Sequence, residues 1–262
     1  MIIFHDKLLE VGGSEIVLKQ LISSKKNVTI YTSCINDINF WKKYLNCKNI
    51  YQPFLLKFIK NQRYYRILYP FIVFVCFLYP KINNKEFTIF YSSSAAKFFR
   101  VINYYNAIFY SNYPAKPLEQ IDDFFSKTFL QKLLVLFVKK LIFPFWKRIE
   151  LKQIKKFSKI AVISKGALEG YKKIFGEMHC SNFSIINCPM EVPLEFVNKF
   201  YPKRNGIIMI SRLYTEKRLA SILETLNDVS FEIDDKISII GDGHEKTYFS
   251  KKYPNLNFLG YV

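Results

Sequence analysis

Three short clusters hold the residues whose types and spacing can do chemistry. Gly12-Gly13 precedes Ser14-Glu15 and an apolar-periodic run from Ile16 to Leu21. Two residues without Cβ let backbone N–H groups approach an anion, and the dipole of a helix N-terminus favours negative charge there. A tight turn with no ligand uses the same residues, so the pair alone is a weak signal. In Ser211-Arg212-Leu213-Tyr214-Thr215-Glu216-Lys217-Arg218, Arg212 can grip a phosphate as a fork and Lys217 as a point charge. Gly241-Asp242-Gly243 departs from the dinucleotide fingerprint, because Lys246 stands where a third glycine belongs. Asp242 there reads as turn chemistry, Glu15 as a helix-start charge, and His5 and His244 as structural histidines.

Those side chains act only where the backbone places them. Ile2 to His5 reads as a strand, followed by the Gly-rich turn and a helix, which is the opening of a βαβ unit. Asn27 to Thr32, Phe87 to Tyr91, Ala107 to Tyr110 and Ile160 to Ile163 read as later strands. Strands alternating with helical stretches predict a parallel sheet covered on both faces. A polar hinge at Pro202-Lys203-Arg204-Asn205-Gly206 separates residues 1–202 from a second α/β series in 203–262. That series has strands at Ile207 to Ile210, Lys236 to Ile240 and Asn257 to Leu259, and a helix from Arg218 to Leu226. The Arg212–Lys217 cluster and Gly241-Asp242-Gly243 each follow a strand of it, where open α/β sheets bind ligands.

Composition narrows the classes. The chain has 262 residues, and a prior of roughly 150 residues per domain gives about 1.7 domains. Half of its residues are hydrophobic and only 9 are Gly and 10 Pro, which excludes disorder, collagen-like repeats and long flexible linkers. A formal charge of +18 suits anionic lipid, nucleotide phosphate or nucleic acid, and an AT-rich coding bias toward Lys is the alternative source of it. No zinc-finger spacing or RNP-type aromatic motif accompanies the charge, so nucleic acid ranks last. Five scattered cysteines without a C-x-x-C pair read as reduced, mostly buried thiols of a cytoplasmic protein, not as a metal site. Met1 to Phe4 runs at once into His5-Asp6-Lys7 and does not read as a secretory signal. Ile67 to Pro80 is uncharged but too short to cross a bilayer, which takes about 20 apolar residues. Phe129 to Arg148 alternates Leu, Val, Ile and Phe with lysines every seven residues. It fits a helix lying in anionic headgroups, and equally an amphipathic helix packed on the protein's own sheet with snorkelling lysines.

Together the segments resemble the amino-terminal two-thirds to three-quarters of a family 4 glycosyltransferase, in the mannosyltransferase-like branch that acts on lipid-linked and surface glycans. The matching residues are His5-Asp6 with Gly12-Gly13-Ser14-Glu15, Phe90-Tyr91-Ser92-Ser93-Ser94, Ile160 to Ser164, Ile186-Asn187-Cys188-Pro189, Ser211-Arg212-Leu213 through Lys217-Arg218, and Ile240-Gly241-Asp242-Gly243 through Phe258 to Val262. Ala107 to Lys116 is similar to the family's Tyr-x-His-x-Pro-x-Arg signature. The resemblance implies a GT-B fold of two Rossmann-like domains, an acceptor-side domain over 1–202 and a donor-binding domain over 203–262 that is truncated before the family's Glu pair. It further implies retaining, metal-independent hexosyl transfer from a nucleotide-sugar, with no cofactor, at the inner membrane face. Gly12, Gly13, Arg212 and Lys217 are then the donor diphosphate contacts, and Pro114 and Lys116 lie on the acceptor side. Asn112 takes the place of the signature's histidine; it can hydrogen-bond a sugar hydroxyl but cannot carry a proton. A non-catalytic binding protein derived from the same fold, and a basic nucleic-acid-binding α/β protein, are the rival readings.

Overall fold

The computed structural model describes residues 1–25, 27–113, 143–189, 206–213, 219–229 and 237–260. The chain divides into two compact units, Met1–Glu191 and Val192–Val262. The hinge expected at Pro202 to Gly206 lies outside the described residues except for its last one.

In the first unit, seven strands form one sheet: β1 (Ile2–Leu8), β2 (Thr29–Ile35), β3 (Asn49–Tyr51), β4 (Thr88–Tyr91), β5 (Ala107–Ser111), β6 (Lys159–Val162) and β7 (Phe183–Ile185). Their order is β3-β2-β1-β4-β5-β6-β7, and every pairing is parallel. A parallel sheet is buried on both faces, so its strands carry apolar residues at odd and even positions alike. Phe4, Phe90 and Phe109 stand in register on one face and pack into one core cluster. Ile3, Tyr91, Tyr110 and Ala161 serve a second cluster on the opposite face. Stacking of Phe4 on Phe90, with ring centroids 4.1 Å apart, marks the centre of the first.

Six helices accompany the described part of this sheet: α1 (Gly13–Ser23), α2 (Ile38–Tyr44), α3 (Gln62–Ile67), α4 (Tyr69–Leu78), α5 (Phe143–Ile154) and α6 (Lys165–Phe175). Several starts are written locally. Asp37 caps α2 by accepting from the N–H groups of Asn39 and Phe40, and Ser164 caps α6 by accepting from that of Ala167. Pro70 falls in the first turn of α4, where its missing N–H costs nothing, which separates α4 from α3 at Leu68. The uncharged stretch from Ile67 to Pro80 therefore holds the ten-residue helix α4, with Ile72, Val73, Val75 and Cys76 buried. Among the described residues no helix is long and apolar enough to cross a membrane.

The expected helix from Phe129 to Arg148 is described only from Phe143 onward, as the start of α5. There Trp146 turns into the protein against Tyr69 and Phe98, with ring centroids 5.6 and 5.5 Å away, while Phe145 and Arg148 face solvent. Glu150, one turn on, is buried and forms an ion pair with the fully buried Lys97, whose carbonyl also accepts from Gln153 Nε2 at 2.7 Å. So the described part of that helix is docked on its own core.

In the second unit, the described residues form β8 (Ile207–Ile210), α7 (Ala220–Val229), β9 (Ile237–Ile240), α8 (Lys246–Lys252) and β10 (Asn257–Gly260). The three strands are parallel in the order β10-β9-β8. Leu213, Leu223, Ile239, Phe249 and Tyr253 make its core.

Candidate functional site

Strand order reverses direction between β1 and β4, so the crevice at their carboxyl ends is a topological switch point, where doubly wound sheets take ligands. Two loops enter it, the Gly12-Gly13 turn after β1 and the Ser-rich turn after β4. Both are held by buried acids.

Asp6, near the end of β1, holds the Ser-rich turn. Its Oδ1 accepts from Ser92 Oγ at 2.6 Å and Ala96 N at 2.9 Å. Its Oδ2 accepts from Ser93 N at 2.7 Å, Ser94 N at 2.9 Å and Ser93 Oγ at 3.3 Å. A carboxylate can accept at about four lone-pair sites, and these bonds use that capacity fully. The backbone of 92–96 is thereby wrapped around one side chain. The sequence marked Asp6 as part of a motif without showing this role, which requires β4 to lie beside β1.

Glu15 does the same for the glycine turn. Its Oε2 accepts from Gly12 N at 3.0 Å, and its Oε1 from Ser14 Oγ at 2.8 Å. The buried His5 ring bridges Glu15 Oε1, at 3.2 Å from Nε2, to the Tyr91 carbonyl, at 3.3 Å from Nδ1. Burial, the largest influence, pushes the Glu15 carboxyl up. The hydrogen bond and charge of His5 and the Ser14 hydroxyl outweigh it, and the group is held below its ordinary value. The helix-start charge expected at Glu15 is thus a buried clasp, and His5 is a satisfied structural histidine.

This clasp changes what the two glycines can do. Gly12 has extended backbone, and its N–H is spent on Glu15; a Cβ there would stand 3.2 Å from Glu15 Oε2. Gly13 is exposed, with nothing within 4 Å of where a Cβ would stand. Gly12 therefore shapes the turn, and the open approach to an anion lies at Gly13.

Asn112 follows β5 at the same edge. Its Oδ1 and the Tyr91 hydroxyl are both buried, and neither completes a hydrogen bond of ordinary geometry among the described residues. Burial drives the Tyr91 phenol well above its usual pKa, and the Asn112 amide offsets part of that rise. Tyr113, next in the chain, has its ring against α6: a Cβ on Gly170 would lie 2.9 Å from it, so only glycine leaves the space. Tyr110 donates to the Ile186 carbonyl at 2.9 Å, tying the segment before Cys188 to β5. Pro114 and Lys116 lie outside the described residues.

At the second unit's carboxyl edge, Arg212 is exposed in the loop after β8, and Lys217 lies outside the described residues. The loop after β9 braces the Arg212 loop backbone to backbone. Ser211 N donates to the Ile240 carbonyl at 3.0 Å, and Leu213 N to the Asp242 carbonyl at 2.9 Å. Gly241 (φ +138°) and Gly243 (φ +159°) adopt conformations that L-residues avoid. A Cβ at Gly241 would sit 1.9 Å from the Ser211 carbonyl oxygen, and one at Gly243 2.2 Å from that of Leu213. Asp242 Oδ1 accepts from Gly243 N at 2.7 Å, which is turn chemistry. The glycines of Gly241-Asp242-Gly243 thus serve close packing of the two loops.

Among the described residues no three His, Cys, Asp or Glu side chains gather as a metal site would need. The five cysteines are free and four are buried, with burial pushing the Cys34 thiol up to about 12.

Comparison with solved structures gives the architecture its class. The chain is similar to the apo form of the lipopolysaccharide outer core galactosyltransferase WaaB, with a TM-score of 0.50 and 17% identity over 100% of this chain and 68% of that one. It is also similar to Anabaena Alr3699/HepE in complex with UDP, with a TM-score of 0.54 and 13% identity over 100% of this chain and 69% of that one. The fold is GT-B-like. No family model and no curated protein matches the sequence. The likeness is therefore one of architecture, with the first Rossmann-like unit carrying the Asp6 and Glu15 clasps and the second carrying the braced Arg212 loop.

Proposed function

We propose that the protein is a glycosyltransferase that moves a sugar from a nucleotide-sugar donor to a lipid-linked or surface-glycan acceptor. The observation that carries this reading is the fold shared with a galactosyltransferase and with a UDP complex, joined to a basic loop at the carboxyl edge of the second sheet. Arg212 and Lys217 are assigned to the donor diphosphate, where fixed positive charge stabilises the leaving group as the glycosidic bond breaks. Gly12 sets the turn that opens the backbone at Gly13 to the donor. Asn112 and Tyr91 offer a buried acceptor and a buried donor to a sugar hydroxyl, since their polar atoms are otherwise under-satisfied. Pro114 and Lys116 are assigned to the acceptor side.

The finer reading follows the family 4 resemblance: retaining, metal-independent hexosyl transfer in the mannosyltransferase-like branch, by a peripheral protein at the inner membrane face. An acceptor-side domain over 1–202 and a partial donor-binding domain over 203–262 complete it. The test is an assay of the purified chain with UDP-, GDP- and dTDP-sugars and a polyprenyl-phosphate glycan acceptor, with and without chelator. Transfer that persists in chelator supports the whole reading. Saturable nucleotide binding without transfer or donor hydrolysis would replace the enzyme by the binding-protein alternative.

A further inference from the structure

We propose that a cavity at the amino edge of the first sheet binds a small organic anion, a carboxylate or phosphate head on an apolar body. The cavity opens at the start of β6, whereas the switch-point crevice lies at the carboxyl ends of the strands, so the inference stands apart from the transferase reading. Its volume is about 390 Å³, within the roughly 300–1,000 Å³ usual for small-ligand sites.

The floor is apolar and already built. Ile154 at the end of α5, Phe157, and Ile160 in β6 line it and are 1%, 3% and 5% exposed. All three belong to the first core cluster, so packing sets their positions before any ligand arrives. The facing wall is the turn Glu177–His179 and the residues that lead into β7. Gly176 (φ +91°) lets the chain reverse after α6. The N–H groups of His179 and Cys180 then close the turn onto the Gly176 and Glu177 carbonyls, at 3.2 and 2.9 Å. Cys180 is buried beneath it, and Ser181 Oγ donates to the Met178 carbonyl at 3.2 Å. The wall is thus held by its own bonds. The remaining polar lining is the Lys155 ammonium, the His179 ring and the Asn182 amide, and Met178 completes it at 83% exposure.

Charge decides the occupant. Lysine, imidazole and amide can all donate to an oxyanion, and bonds between charged partners are the strong ones. From Leu151 to Ile160 the chain carries Lys152, Lys155, Lys156 and Lys159 and no carboxylate. Glu177, the one acid of the 176–182 turn, pairs with Lys172 at 3.9 Å. Burial, joined by the like charges of Lys152, Arg100 and Lys81, holds the Lys156 ammonium below its ordinary value, which marks the surroundings as positive. A cation is repelled here. A purely apolar molecule would cover Lys155 without pairing it, and a bare inorganic anion would leave the floor unused. A molecule with both halves matches both halves of the cavity.

The test is calorimetric titration of the full chain with phenylacetate and with phenyl phosphate, with UDP present to occupy a nucleotide-phosphate site. Phenylacetamide serves as the neutral counterpart and inorganic phosphate as the head alone. Expected is saturable binding of at least one aryl anion, with phenylacetamide and inorganic phosphate about tenfold weaker or more. Lys155→Ala combined with His179→Ala is expected to weaken the aryl anion about tenfold, and Ser181→Trp, which fills the mouth from an exposed position, to abolish its binding. Thermal melts matching the unaltered protein confirm that both variants fold. Methyl NMR of labelled methionines places the ligand: the Met178 signal is expected to shift and that of Met209, in the second unit, to stay. No aryl anion binding tighter than about 10 mM, equal binding of phenylacetamide, unchanged binding in both variants, or a shift at Met209 with Met178 silent overturns the site.

Discussion

Glu15 shows how one side chain fixes a turn. Its ionised form is the one the native state selects, since its carboxyl is held below the ordinary 4.5. A depressed folded value contributes stability that is complete above the unfolded carboxyl range and disappears as pH falls through the folded value. Glu15→Gln keeps the shape but removes the charge from three hydrogen bonds, so it is expected to cost about 1–3 kcal/mol at pH 7. The cost should shrink as the pH falls below 4.5, because the unaltered protein then loses the same charge. Urea unfolding of both proteins from pH 7 to pH 3 measures this, and a gap that stays constant with pH would show that the charge is not what holds the turn. Much of this was legible in the sequence: Gly12-Gly13-Ser14-Glu15 announces a helix start with an acid in its first turn. What was hidden is His5, ten residues away and on a strand, whose ring closes the clasp only once β1, β4 and α1 are assembled.

At the scale of elements, two devices position the loops. The buried Lys97–Glu150 pair links the turn after β4 to α5. Removing one partner leaves an uncompensated buried charge, so Lys97→Met or Glu150→Leu alone is expected to cost about 3–5 kcal/mol. The double replacement should recover most of that loss, and denaturant unfolding of the three variants gives the coupling. Equal costs that simply add would mean the pair is not coupled. In the second unit, Gly241→Ala drives a methyl group into the Ser211 carbonyl at a backbone angle that alanine avoids. We expect a loss of about 1–3 kcal/mol, together with weaker nucleotide binding through the displaced Arg212 loop. The strand series was readable from apolar runs and their punctuation, and β8 runs from Ile207 to Ile210 as expected. Strands β3 and β7 escaped notice because each is three residues long, too short for any pattern to rise above the loops around it. Trp146 is half-buried against Tyr69 and Phe98, a contact between α4, the turn after β4 and α5 that no local pattern announces.

Across the whole molecule, the alternation of strands and helices was enough to anticipate parallel α/β sheets in both units, and the family resemblance supplied the GT-B-like architecture. The proposed function rests on phosphate recognition by the second unit, and that is open to direct measurement. Calorimetric titration of UDP and of GDP into the full chain, and into Arg212→Ala with Lys217→Ala, tests it at fixed ionic strength. The account predicts saturable binding of one diphosphate and at least a tenfold weakening in the double variant, about 1.4 kcal/mol or more. Binding that survives both substitutions unchanged, or no binding of either diphosphate by the unaltered protein, would contradict it.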